Sequence, residues 1–166
     1  MNIFYLHSDP FLAAQAQCDK HVVKMVTESA QLLCSVGHTL AAVNPPYLLT
    51  HANHPCAKWA RERSGNFVWL WDHFEALSFE YSHRYHKVHL SFKKMAPWLD
   101  ACGHWIADYL PMGRTDPPQV MPEQYRGDDP VAAYRDYYRN EKARFARWSV
   151  REPPEWWGEA EGRKAG

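Results

Sequence analysis

No stretch of the 166-residue chain approaches the roughly 20 apolar residues that a membrane-spanning helix requires, which excludes an integral helical membrane protein at the outset. Residues 2–6 are too short for the core of a secretory signal and lack a basic leader, so a soluble, cytoplasmic protein with no membrane partner is expected. Net charge is missing as well. The 19 Lys and Arg balance 19 Asp and Glu, so no global basic field announces a nucleic-acid binder, and a polyanionic partner has to be held by a local patch. Cys18, Cys34, Cys56 and Cys102 lie apart in apolar contexts and form no C-x-x-C, which points to reduced thiols. No internal repeat is visible, and the length favours one domain with a substantial core. What the chain has in quantity is rings. Eight Trp, nine Tyr and ten His supply stacking and binding-surface chemistry.

The stretch around which the rest is organised runs from Gln17 to Gln31 and reads as the middle of one long helix. At about 100° per residue, Gln17, His21, Lys24, Glu28 and Gln31 share one narrow sector, flanked by Cys18, Val22, Met25, Val26, Ser29 and Leu33. The result is a polar stripe on an otherwise apolar helix. At its plainest it is a solvated Lys24–Glu28 pair contributing about 0.3–0.5 kcal/mol.

In chain order, residues 2–6 read as a short extended segment, and Ser8-Asp9-Pro10 supplies a cap and first turn for a helix expected to reach Ser35 or Val36, with Gly37 closing it. The prolines at 45 and 46 mark a loop, and Pro55 begins a helix through Glu62. Helical period resumes from about Ser64 to Tyr85, with Asn66, His73, Glu80 and Arg84 collected in a second polar stripe beside an aromatic core face. The two striped helices are expected to meet with His21, Glu28, His73 and Glu80 near a shared cleft. A short helix near residues 86–99, broken or begun at Pro97, and a long proline-rich loop to Pro122 follow, and loops of that length are usually functional or mobile. Asp129-Pro130 starts a last helix, to about Trp148, carrying Arg135, Arg139 and Lys142 beside its core face. The fold expected is therefore an all-α, compact single-domain helical bundle over residues 1–157 with a short extended N-terminal segment, and residues 158–166 form a disordered tail.

Three constellations carry chemistry. The stripe His21, Lys24, Glu28 offers an amine that attacks a carbonyl-like carbon once desolvated, beside a carboxylate able to move protons. Cys18, His21, His51, His54 and Cys56 have the donor types of a zinc site, although their gaps follow no known ligand spacing, and no metal or cofactor is assigned. The basic and aromatic set, with Trp59, Arg61, Arg84 and Arg135 foremost and His54 nearby, is the local signature of phosphate contact and base stacking.

Met-Asn-Ile-Phe-Tyr-Leu at the start, Cys18 to Met25, Asn53-His-Pro-Cys56, Trp59-Ala-Arg61-Glu62, Glu80-Tyr81 with Arg84-Tyr85, Met121-Pro122 and Ala133-Tyr134-Arg135 together resemble a family of small uncharacterised proteins common in tailed phages. Members of that family usually carry Asp where this chain has His7. More remotely, the opening segment, the striped helix, the Asn-His-Pro turn and the aromatic helix are similar to the pyrimidine-dimer DNA glycosylases. That resemblance implies a compact helical enzyme that cuts the glycosidic bond and then the backbone through an imine, formed by an N-terminal amine with help from a glutamate and arginines. Asn2 is too large for usual Met removal, so the implied amine here is that of Met1 or of Lys24, with Lys20 and His21 standing where the family has an Arg-Glu pair. An α-amine titrates near roughly 7.7–8.0 against roughly 10.4 for lysine and needs less help to attack.

The expectation is thus an enzyme acting on DNA bases, a glycosylase or glycosylase/lyase needing no cofactor. Lys24 or Met1 is the amine, Glu28 the acid/base, His21 and His54 are pocket groups, and Arg61, Arg84, Arg135 and Trp59 lie on the nucleic acid. Two other classes remain open: a non-catalytic nucleic-acid or protein-binding module, and a Cys/His metal-dependent hydrolase. The oligomeric state is not legible.

Overall fold

The computed structural model describes residues 1–40 and 44–158, and over these the fold is all-α, with no strand. Six α-helices follow in order, α1 Pro10–Ala16, α2 Asp19–Thr39, α3 Pro55–Glu62, α4 Ser64–Tyr85, α5 Leu90–Tyr109 and α6 Pro130–Lys142, with 3-10 turns at Glu123–Tyr125 and Glu155–Trp157. No helix among the described residues is long and apolar enough to cross a membrane. Residues 1–6 form neither helix nor strand and, unlike the uniformly extended segment expected, turn at Phe4, whose φ is 46°, and Asn2 to Leu6 are buried. Three helices start by one device, a capping side chain followed by proline. Asp9 accepts from the Phe11 and Leu12 amides before Pro10, His54 accepts from the Cys56 amide before Pro55, and Asp129 accepts from the Val131 amide before Pro130. Helix α4 is the hub, packed against α1, α2, α3 and α5 through Phe67, Leu70, Phe74 and Leu77, all fully buried.

The single long helix expected from Pro10 is two helices. Gln17 and Cys18 are extended, with ψ of 140° and 161°. The backbone groups freed there are claimed by distant side chains and backbone. Arg84 donates to the carbonyls of Gln15 (3.1 Å) and Gln17 (2.9 Å), Trp148 to that of Ala16, and the Cys18 amide donates to the Tyr138 hydroxyl at 3.0 Å. The Asp19 amide donates to the Arg147 carbonyl. Every partner lies more than 60 residues away, beyond the reach of a helical-period argument. The break costs intrahelical bonds but leaves few backbone groups unpaired.

Other boundaries shift for local reasons. Gly37 does not close α2. It lies inside the helix, where a Cβ would come within 2.7 Å of the Trp98 ring, so the glycine serves a close approach. Helix α5 starts later than expected, at Leu90 behind a His89 cap, and runs through Pro97 to Tyr109. Helix α6 ends at Lys142, and the chain beyond it returns across the start of α2, where the amide and hydroxyl of Ser149 both donate to Asp19. The tail expectation falls, past Gly158, outside the described residues.

Among the described residues, the four polar groups expected at a shared cleft between the striped helices do not meet one another. Helices α2 and α4 do pack together, but their four polar groups take separate partners: His21 the Tyr138 hydroxyl, His73 Gln17 and the Pro10 carbonyl, Glu80 Arg84 and Arg151, Glu28 Asn2 and Lys24. Arg84 was expected on a phosphate, yet its side chain is 0% exposed, bonded to Glu80 at 2.8 Å and Asp19 at 2.9 Å. It is therefore a structural cation, unavailable to nucleic acid. Burial works against the Asp19 charge, but the Ser149 hydrogen bonds and Arg84 outweigh it and hold the carboxyl below its usual value. Removing the guanidinium strands Glu80 and Asp19 and the carbonyls of the break. Arg84→Ala is expected to cost about 3–5 kcal/mol in urea denaturation, the range for breaking a buried ion pair, and a loss under about 1 kcal/mol, the level of an exposed pair, would contradict this account.

Candidate active site around Glu28

The N-terminal segment lies along α2 in the opposite sense, with Asn2 beside Glu28 and Phe4 stacked on His21. Asn2 fixes it. Its side-chain oxygen accepts from the amides of Ile3 (2.8 Å) and Phe4 (3.0 Å), and its side-chain nitrogen donates to the Val120 carbonyl. Its own amide donates to Glu28 Oε2 at 3.0 Å, and Glu28 Oε1 meets Lys24 Nζ at 3.0 Å. One carboxylate therefore holds Lys24 and the amide of the residue that follows Met1. Glu28 is largely buried, its side chain 13% exposed, whereas Lys24 is 64% exposed. The desolvation that a lysine nucleophile requires is absent.

The Asn-His-Pro turn closes the other side. His54 Nδ1 accepts from the Cys56 amide, and the His54 amide donates to the His51 carbonyl at 2.8 Å. Burial lowers the His54 pKa first, helped by the positive charge at Met1 and by His51 and opposed by Glu28 and a hydrogen bond to the Met1 backbone. The same two charges reach Cys56. Burial pushes its thiol up to about 12, the Met1 charge acting downwards and Glu28 upwards, so it stays protonated. Met1, Glu28, His51 and His54 thus share one electrostatic neighbourhood. Two residues here have positive φ, Phe4 at 46° and His51 at 53°, a left-handed backbone that costs a non-glycine residue and recurs at functional sites. A cleft of about 760 Å³ opens beside the turn, lined by Pro55, residues 117–121 and Arg126. The proline-rich loop forms most of its wall.

The remaining sequence candidates fall elsewhere. His21 is buried under Phe4 and Phe145 and faces the Tyr138 hydroxyl at 2.7 Å. It lines the core, about 10 Å along α2 from Glu28 at a rise of about 1.5 Å per residue. Trp59 is buried at the α3–α4 junction, donating to the Thr115 carbonyl, so it offers no ring face to a base. Arg61 braces the turn by donating to the Ala52 carbonyl at 2.7 Å. Arg135 donates to the Leu6 carbonyl, lies over Trp156 and lines a larger cleft of about 840 Å³ that contains neither candidate amine nor Glu28. None of Met1, Lys24, Glu28, His51 and His54 lines the smaller cleft either, but it borders them through Pro55, which follows His54, and Val120, whose carbonyl accepts from Asn2. The five Cys and His residues considered for zinc do not converge, because Cys18 and His21 are held by Tyr138 while His54 and Cys56 flank the turn, and no group of three or more metal-binding side chains forms among the described residues.

Sequence reasoning missed Asn2 as an anchor and Arg151 as a partner of Glu80. The cue for Asn2 was local, an Asx side chain able to bond the next two amides. Burial, with the nearby charges of Lys142, Lys24 and Lys20, pushes the His21 pKa down to about 3, and burial pushes that of His73 to about 4. Both imidazoles therefore resist protonation only when folded, so their contribution is complete above about pH 6.5 and lost as pH falls towards 4 and then 3. Urea unfolding between pH 7 and pH 4 is expected to show stability falling by about 1.4 kcal/mol per pH unit for each histidine, with His21→Phe flattening the slope by one proton. An unchanged slope would contradict the assignment. No protein-family model, curated protein or solved structure matches this chain.

Proposed function

We propose that this protein is a DNA-base-processing enzyme, a glycosylase or glycosylase/lyase that works through an amine beside Glu28. The reading rests on one observation: the largely buried Glu28 carboxylate meets Lys24 on one oxygen and the amide of Asn2, the residue after Met1, on the other, while the Met1 and Glu28 charges act together on His54 and Cys56. Between the two candidate amines, the α-amine that Met1 carries when it is the first residue is the better nucleophile. It belongs to a half-buried residue, whereas Lys24 stands in water. The adjacent cleft of about 760 Å³ lies within the size range of small-molecule sites and suits an extruded nucleotide.

The chemistry follows from those groups. The unprotonated amine attacks C1′ of the sugar, the bond from C1′ to the base breaks, and the base leaves with the electron pair and takes up a proton. The amine loses its protons as the ring opens, O4′ gains one, and an imine to C1′ remains. Removal of a C2′ proton by a carboxylate then expels the 3′-phosphate, and water releases the enzyme amine. Glu28 is the group positioned to move these protons. His54, whose Nδ1 accepts from the Cys56 amide and whose ring is hydrogen-bonded to the Met1 backbone, positions Met1.

Borohydride reduction with abasic DNA tests this directly, because it fixes an imine as a stable crosslink. The parent protein is expected to crosslink, Lys24→Ala to retain the crosslink, and a form extended by one residue before Met1 to lose it. Glu28→Gln should slow trapping by about 10²–10⁴-fold, the usual worth of a general acid/base. No crosslink in the parent on any abasic substrate would exclude the lyase chemistry and favour a non-catalytic binding module, and loss only in Lys24→Ala would transfer the amine to the helix.

A further inference from the structure

Two turns along α2 from Glu28, cations gather around a group of rings. The His21 ring stacks on Phe4 with centroids 4.3 Å apart and meets Phe145 edge-on at 5.4 Å. Lys20 Nζ lies 4.9 Å from the centre of the Phe145 ring, and the Arg144 guanidinium lies 5.8 Å from the same ring. Lys142 Nζ is 5.9 Å from the centre of Phe4 and 4.6 Å from that of Tyr137, whose hydroxyl it also meets at 3.1 Å. Lys24, one turn on, links this group to Glu28.

The acidic side chains near this face are already committed. Asp19 holds Arg84 and Ser149, Glu28 holds Asn2 and Lys24, and Glu141 accepts from Tyr125. Among the described residues, ion pairs within 4.0 Å involve Lys24, Arg84 and Arg151, and none involves Lys20, Lys142 or Arg144. Ring faces stabilise these cations by about 0.5–1 kcal/mol each at exposed sites but do not neutralise them. Like charges gathered this way repel one another, and an external anion relieves that repulsion. His21 adds no charge, since burial and the surrounding lysines keep it neutral at ordinary pH.

We infer that Lys20, Lys24, Lys142 and Arg144 form the face on which the phosphates of a DNA strand lie, leading the strand to Glu28. The partner's identity rests on the DNA reading above. The geometry of the face does not. From Lys20 to Glu28 is about 12 Å along α2, the axial length of three to four nucleotides at about 3.4 Å each. This face replaces the arginines that the sequence nominates: Arg84 is buried, and Arg61 and Arg135 donate to carbonyls of their own chain.

The test is the salt dependence of binding to a duplex carrying a reduced abasic site, measured by anisotropy between about 50 and 200 mM salt, a range over which phosphate contacts weaken steeply. The parent is expected to bind with a steep slope. The triple variant Lys20→Ala, Lys142→Ala, Arg144→Ala is expected to bind at least about 10-fold more weakly and to lose about 3 from the slope of log K against log salt, one per phosphate contact. The charge-keeping set Lys20→Arg, Lys142→Arg, Arg144→Lys should restore both. Because Lys142 also bonds Tyr137, thermal unfolding is recorded for each variant, and the exposed Lys20→Ala alone is expected to lose about 1 from the slope. Parent-like affinity and slope in a folded triple variant would overturn this face while leaving the DNA reading intact. A parent that does not bind at about 50 mM salt, where phosphate contacts are strong, would overturn both.

Discussion

The Arg84 guanidinium is the interaction on which this architecture turns. Fixed on the last turn of the central helix, it donates to two carbonyls of the α1–α2 break and pairs with Asp19 at the start of α2 and Glu80 one turn back on its own helix. A planar cation with five donors suits this task, since it can satisfy carbonyls and carboxylates at once, where a lysine offers a point charge. The C-terminal segment completes the arrangement from outside: Arg151 joins Glu80, Ser149 joins Asp19, and Trp148 reaches the Ala16 carbonyl. The buried charges are thus paired, which is the condition under which burying them is tolerable.

The N-terminal segment depends on the same region. Gln17, freed from helical geometry, turns its side chain onto the Ile3 carbonyl and the His73 ring, while Phe4 seals His21. The segment is thereby locked beside α2, and the Asn2 amide is delivered to Glu28. A buried segment outside helix and sheet has its backbone groups to satisfy, and here Asn2, Gln17, Arg135 and Glu28 do so. What looks like a short lead-in is therefore the element that brings the N-terminal backbone to the Glu28 carboxylate.

Charge balance conceals how the charges are spent. Nineteen basic and nineteen acidic side chains cancel on paper, yet Asp19, Glu28 and Glu80 are drawn into partly or fully buried pairs, leaving Lys20, Lys142 and Arg144 on ring faces without a carboxylate. A local basic face on a neutral chain is a property of folding, because net charge counts residues and takes no account of which of them have been neutralised internally.

The sequence by itself determined the elements whose signals are local. Asp9-Pro10, His54-Pro55 and Asp129-Pro130 start helices where caps and a fixed proline φ dictate, the hydrophobic period of residues 64–85 matches α4, and the all-α class follows from these. The candidate site was half legible: Glu28, Lys24 and His54 were named from residue chemistry and Met1 from a family resemblance, and in the structure Lys24 pairs with Glu28 while the Met1 and Glu28 charges both act on His54. Tertiary structure alone decided which polar groups reach water. A helical wheel places His21 and Glu28 in one stripe, but Phe4 and Phe145, brought from 17 and 124 positions away, bury the first, while Lys24 and Asn2 meet the second. The same limit hid the break at Gln17 and the burial of Arg84. Periodicity reports what one helix would do alone, and a break is stable only when donors and acceptors distant in sequence arrive to take the hydrogen bonds that the helix gives up.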